Sequence, residues 1–224
     1  MKALIFDSGT LITLSMNGLL NILEELKENF NGKFIITHAV KKEIIDRPIT
    51  VPRFELGALR VKQLLDLGIL ELPESLGLSH ETIQRETNNL LNIANHYIEV
   101  HGKWIQIVSE GEISCLAVSS ELTKKGIENL IAIDERTTRL LSERPESLEK
   151  LMSDRLHQRL SLSSKNFSAF KQFRFIRSSE IVYVAYKKGL LHLEGKKALE
   201  AALYATKYGG AAISFEEIDV LKKL

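Results

Sequence analysis

The sequence predicts an α/β fold built on a parallel sheet, and three observations carry that reading. Short runs apolar on both faces alternate with stretches of helical period. Two of those runs, Ala3–Phe6 and Leu130–Ile133, end directly in an aspartate. With 224 residues, 44% of them hydrophobic and 26% charged, the chain has room for one large domain, or a compact domain with an extension, and lies far from disordered or fibrous compositions.

Taken in order, Ala3–Phe6 reads as a strand buried between two helical layers. Ser8 to Asn29 carries Leu19, Leu20, Ile22, Leu23 and Leu26 at helical spacing and is closed by Asn31-Gly32. Phe34–Thr37 is a second strand, followed by a helix over Val40–Ile45 that ends before Pro48. Phe54–Leu67 is helical and stops at Gly68, Ile69–Leu72 is an edge strand, and Ser79 to about His101 is a longer polar helix. Glu110–Lys125 is another helix, ended at Gly126, and Leu130–Asp134 repeats the first strand's pattern. Three late helices follow over 179–188, 194–208 and 214–224. The last is opened by Ser214 with Glu217 three residues on, the spacing of a capping box.

The formal charge of +1 is a cancellation. Residues 155–197 hold ten Lys or Arg against Glu180 and Glu194, a local +8, and the remainder of the chain carries −7. A generally basic nucleic-acid coat is excluded; a local basic patch is not. The single cysteine, Cys115, excludes an intrachain disulfide and a multi-thiolate metal site, and its apolar neighbours mark it as a small buried hydrophobe. No apolar run approaches the ~18 residues that span a bilayer, so the expectation is a cytoplasmic chain without export signal or anchor.

In an open parallel sheet, ligands bind beyond the carboxyl ends of the strands. Asp7 and Asp134 stand at that position, Glu43 lies in the helix after the second strand, and Glu110 opens a later helix. Each aspartate would also serve as an ordinary helix N-cap. Two charges 4 Å apart repel by about 4 kcal/mol at an effective dielectric near 20, so four converging carboxylates call for a divalent cation. An all-oxygen donor set suits Mg²⁺ or Mn²⁺.

Phe6-Asp-Ser-Gly-Thr-Leu11 bears a superficial likeness to the opening motif of haloacid-dehalogenase-type phosphatases, but the second aspartate, their acid/base, is missing. The arrangement instead resembles the PIN-domain family of metal-dependent ribonucleases, in particular its toxin-like prokaryotic and archaeal branch. The matching pieces are Leu4-Ile-Phe-Asp7-Ser8 with Thr10-Leu-Ile12, Thr37-His-Ala-Val40-Lys-Lys-Glu43, Glu110-Gly-Glu112-Ile-Ser-Cys-Leu-Ala117, and Ile131-Ala-Ile-Asp134-Glu135-Arg136. Phe175-Ile-Arg-Ser178-Ser179 with Val182–Leu190 is similar to the family's last strand and helix.

The resemblance implies a three-layer α/β fold with a central parallel sheet flanked by helices. Its core would occupy 1–144 with a helical insertion near 52–105, and 145–224 would form a helical C-terminal extension in which 174–190 complete the sheet. It implies an Mg²⁺- or Mn²⁺-dependent endoribonuclease whose metal-site acids are Asp7, Glu43, one of Glu110 or Glu112, and Asp134, with Ser8 a supporting hydroxyl. Two residues apart on a helix, Glu110 and Glu112 point about 200° from each other. Because Ser109 and Glu112 fit a capping box, Glu110 is taken as the ligand and Glu112 as the cap. RNA is the implied partner, with homodimerisation and a cognate antitoxin following from the resemblance alone. A non-catalytic module of the same fold, binding RNA or a protein, is the alternative.

Lys165, Lys171, Arg174 and Arg177 would track a phosphate backbone, and Arg136 and Arg139, beside Asp134, would meet a phosphate or pair with Glu135 or Glu143. Phe167, Phe170 and Phe173 fit one face of a helix and are assigned to the core. The six histidines show no paired metal spacing and are read as structural or exposed; Trp104 is read as a packing anchor.

Overall fold

The computed structural model describes residues 2–162 and 167–224; Lys165 lies outside them. The first strand, β1 (Lys2–Phe6), leads into helices α1 (Ser8–Met16) and α2 (Asn21–Asn29). Next come β2 (Gly32–Ile36), α3 (His38–Lys41), a π-helical turn over Lys42–Asp46, and α4 (Pro52–Asp66). A two-residue strand β3 (Leu70–Glu71) precedes a short helical turn Pro73–Leu76 and α5 (His80–Ala94). The strands β4 (Glu99–Val100) and β5 (Lys103–Trp104) form a small separate hairpin before α6 (Glu110–Lys124). After β6 (Glu128–Ala132) come α7 (Arg136–Glu143), α8 (Leu148–Leu156), β7 (Phe175–Ile176), α9 (Ser178–Lys187), α10 (Lys196–Tyr208) and α11 (Phe215–Leu221).

The main sheet is five-stranded and parallel throughout, in the order β3-β2-β1-β6-β7, with helices flanking it. From the central β1 the chain moves outward through β2 to β3, then crosses back to lay β6 and β7 on the other side of β1. The connections therefore diverge between β1 and β6, which opens a crevice at their carboxyl ends. Ile5, Phe6, Ile35, Ile36, Ile131 and Ala132 are fully buried, as strands covered on both faces require. Helix α6 is buried nearly all round, packing on β1, β6, α3 and α5, so it crosses the core rather than lying on it.

Several expectations change. The stretch Ser8–Asn29 is two helices, because Asn17-Gly18 ends the first: Gly18 takes φ +68° and Leu19 N–H donates back to the Leu14 carbonyl at 2.8 Å. The polar helix from Ser79 stops at Ala94, since the chain turns there to make the β4–β5 hairpin. The edge strand expected over Ile69–Leu72 is present as Leu70–Glu71, paired with β2 at the edge of the main sheet. Phe167, Phe170 and Phe173 are buried, but a short helical turn at Ser168–Phe170 rather than a helix presents them, and their rings pack with Tyr97 and with one another. Among the described residues no helix is long and apolar enough to cross a membrane.

Candidate functional site

Asp7 enters the crevice because β1 ends one residue before it and α1 starts one residue after. Its backbone N–H donates to the Ala132 carbonyl of β6 at 2.9 Å, and its Oδ2 caps α1 by accepting from Gly9 N–H at 3.1 Å. The cap and the crevice position coincide. The other oxygen, Oδ1, is buried and has no hydrogen-bond partner. Burial, followed by the charges of Glu112 and Glu43, pushes the Asp7 carboxyl up to about 7 against the opposing N–H groups of Gly9 and Ser8. Ser8, half-buried, is the first residue of α1.

Helix α6 delivers the second acid. Ser109 and Glu112 close a full capping box: Glu112 N–H donates to Ser109 Oγ at 3.2 Å, and Ser109 N–H donates to Glu112 Oε2 at 3.0 Å. Thr138 Oγ1 donates to the same Glu112 oxygen at 2.8 Å, so the carboxylate is held from two elements. Burial raises the Glu112 pKa, with Glu135 adding to the rise and the Ser109 and Thr138 hydrogen bonds opposing it. Glu110 is exposed and turned toward α5, where Gln84 Nε2 donates to it at 3.4 Å. The assignment of Glu110 to the crevice and Glu112 to the cap alone is therefore corrected. The N-terminus of α6 itself points at the crevice, so the residue that caps it also lies there.

Glu43 comes from the π-helical turn, a local widening of the helix that re-aims a side chain. Its carboxylate lies on the backbone of Gly111: a Cβ at that glycine would stand 2.6 and 2.8 Å from the Glu43 oxygens. Thr37, at the end of β2, caps α3 and shares a 2.6 Å hydrogen bond with Ser114, which in turn donates to the Gly111 carbonyl. That chain of contacts fixes the amino end of α6 against β2, with Asp7, Glu43 and Glu112 around it. The positive end of the helix dipole favours the three acids there.

Asp134 sits two residues beyond β6, 2% exposed, and accepts from Ser178 N–H of α9 at 2.8 Å through Oδ1; its buried Oδ2 makes no hydrogen bond. Its pKa is raised by burial, against the nearby Ser178, Thr13 and Arg139. A C-terminal strip covers it, since Ala212 N–H donates to the Asp134 carbonyl and Thr13 Oγ1 to the Gly209 carbonyl. Of the sequence-predicted acids the structure gathers Asp7, Glu43 and Glu112 around the amino end of α6 without closing them on a point, while Asp134 is held among Ser178, Thr13 and Arg139 and Glu110 faces α5. Among the described residues the three-donor set with ligand atoms all within 4.8 Å is a different one: His38, Glu74 and His80. Glu135, read from the sequence only as a pairing partner for Arg136 or Arg139, caps α7 and raises Glu112; its signal as a cap was an acid directly before a helix start.

Beside the strip lies a cleft of about 710 Å³ with Arg136, Arg139, Arg144 and Lys207 among its lining residues. Arg136 is exposed there, and Lys171 and Arg174 are exposed on the turn before β7. Arg177 is not available for a phosphate in this arrangement. Its guanidinium is 2.8 Å from Glu180 and 2.9 Å from Glu217 and donates to the Ala212 carbonyl, so it ties α9 to α11 from a position 9% exposed. Arg139 likewise reaches Ala212, at 3.4 Å. Trp104 is 45% exposed on the hairpin against His96, not a packing anchor, whereas Cys115 is fully buried and its thiol is pushed well up by that burial.

Fold and site together define a parallel α/β protein with a buried carboxylate crevice at its topological switch point and, beside the C-terminal strip, a cleft lined by arginines together with Glu143, Glu180 and Glu217. No family model, no curated protein and no solved structure matches the chain.

Proposed function

We propose that the protein is a divalent-metal-dependent endoribonuclease of PIN type, hydrolysing RNA phosphodiesters. The observation that carries this reading is the buried Asp7 carboxyl at the switch point, pressed by Glu112 and Glu43 and with one oxygen unpartnered. Its Oδ2 caps α1, but the burial of the other oxygen beside two further acids serves no cap, and carboxyls perturbed in this way cluster at functional sites. An all-oxygen set suits Mg²⁺ or Mn²⁺, and Asp7, Glu43 and Glu112 would hold the ion after drawing closer than in this structure, where their ligand atoms do not all lie within 4.8 Å of one another. A bound ion supplies a water of lowered pKa and neutralises charge on the phosphate.

This chain's own groups do the remaining work. Thr138 and Ser109 keep Glu112 oriented, and Gly111 leaves the space in which the Glu43 carboxylate rests. Ser8 and the start of α1 offer hydrogen-bond donors at the crevice mouth. Arg136, with Arg144 in the same cleft, would meet backbone phosphates, and the exposed Lys171 and Arg174 would extend that path. RNA is the partner on this reading; a homodimer and a cognate antitoxin follow only from the family resemblance.

The test is cleavage of an unstructured single-stranded RNA with Mn²⁺ by wild type and Asp7→Asn. Wild type should cleave and the variant should not, with both equally folded by circular dichroism. Equal cleavage by the two proteins refutes the assignment, and RNA retention without cleavage by wild type favours the non-catalytic module.

A further inference from the structure

The geometry points to a second metal site, outside the acidic crevice and of different chemistry: we propose that His38, Glu74 and His80 bind one borderline divalent ion of the Zn²⁺ class. One ligand atom from each residue lies within 4.8 Å of the other two. His38 Nε2 is 2.7 Å from Glu74 Oε1, and the two imidazole rings meet edge to face with centroids 4.6 Å apart. An ion pair between His38 and Glu74 would need no third member. The second imidazole, brought against the same carboxylate from another helix, is what an ion pair leaves unexplained and a metal site uses.

The three donors come from three elements, and each is fixed by its own backbone. His38 is the first residue of α3, set by the Thr37 cap whose Oγ1 accepts from Val40 N–H at 3.1 Å. Glu74 lies in the turn Pro73–Leu76, closed by Gly77 at φ +68°, with Lys125 Nζ donating to the Gly77 carbonyl at 2.6 Å. His80 is the first residue of α5, set by the Ser79 cap that accepts from Thr82 N–H at 3.2 Å. The donors are thus positioned before any ion arrives, and Glu74 and His80 are open to solvent, which leaves a path of entry and room for water as a fourth ligand.

Two imidazoles with one carboxylate form a three-ligand set typical of Zn²⁺, whereas an all-oxygen set selects Mg²⁺ or Mn²⁺. This set, beyond the carboxyl ends of β2 and β3, would thus favour a different ion from the all-oxygen acids around α6. An ion at the second would fasten the segment after β3 to the end of β2, and with it the start of α5, whose Gln84 touches Glu110. This inference does not rest on the nuclease reading.

The experiment is titration of the full chain with Zn²⁺, read as heat and as melting temperature, in wild type, His80→Gln, His38→Gln and Asp7→Asn. Wild type should bind one Zn²⁺ at micromolar concentration or tighter and melt several degrees higher with saturating ion, by mass action. The melting rise should disappear on chelation. His80→Gln, an exposed position, should keep its fold and lose more than about tenfold in Zn²⁺ affinity while its response to Mn²⁺ is unchanged. Asp7→Asn should retain the Zn²⁺ response. Co²⁺ offers a second readout: its visible absorption should appear in wild type and vanish in His80→Gln. Full Zn²⁺ affinity in His80→Gln, loss of it in Asp7→Asn, or no binding by wild type below millimolar ion overturns the proposal.

Discussion

Asp7→Asn is expected to stabilise the protein above neutral pH and to do nothing in acid. In the unfolded chain the carboxyl gives up its proton near 3.8, the ordinary value for an aspartate; in the fold it holds it until about 7. Between those values the folded state binds a proton that the unfolded state lacks, so this group's contribution is fully present below about 3.8 and is lost as the pH rises to about 7. At ~1.4 kcal/mol for each pH unit, the interval amounts to about 4 kcal/mol of destabilisation in wild type at pH 8. Asparagine removes the charge, keeps an oxygen for Gly9 N–H, and presents an amide that can donate to Glu112 or Glu43. The variant should therefore be more stable than wild type by up to about 4 kcal/mol at pH 8, fall level with it near pH 4, and have lost Mn²⁺-dependent cleavage throughout. Urea unfolding at pH 4, 6 and 8 measures the difference directly, and the slope of the transitions checks that both proteins expose the same surface. A stability difference that does not change with pH, or a variant less stable than wild type at pH 8, refutes the reasoning.

Two further sets of variants probe the surroundings. Gly111→Ala would ordinarily gain about 1 kcal/mol within a helix, but its Cβ would stand 2.6 Å from a Glu43 oxygen and drive that carboxylate away. Melting temperature should hardly move while the Mn²⁺-induced rise and RNA cleavage fall; both undiminished would show that Glu43 takes no part. Arg177→Met breaks the pairs to Glu180 and Glu217 from a nearly buried position and should cost about 2 kcal/mol with RNA affinity unchanged. Lys171→Ala with Arg174→Ala should leave stability alone and flatten the dependence of log affinity on log salt by about 1.4, at ~0.7 per charge on a single strand. Fluorescence polarisation across a salt series separates the two: an unchanged slope in the double variant removes those cations from the RNA path, and a flattened one for Arg177→Met returns that residue to it.

Function and stability are set against each other around α6. Its amino end gathers three acids where the helix dipole and the N–H groups of Gly9 and Ser109 offset only part of their repulsion and desolvation. The fold tolerates this because the same helix is buried along most of its length against β1, β6, α3 and α5.

What the sequence determined by itself is local. Apolar runs of four or five residues became the three central strands β2, β1 and β6, Ser109 with Glu112 and Ser214 with Glu217 made the capping boxes their spacing implied, and Asp7 and Asp134 followed their strands. Strand sterics, caps and turn glycines depend on neighbours a few residues away, so they can be read from the chain in order. Only the tertiary structure decided matters between distant segments. It turned Glu112 rather than Glu110 toward the crevice, because the side that faces inward depends on how α6 lies on β1 and β6. It joined Arg177 to Glu217, forty residues on, and so withdrew an expected RNA contact. It also brought His38 against Glu74 and His80, which no spacing along the chain announces. Such meetings are set by the packing of whole elements, a sum over many weak contacts far apart in sequence, and no short window of residues contains it.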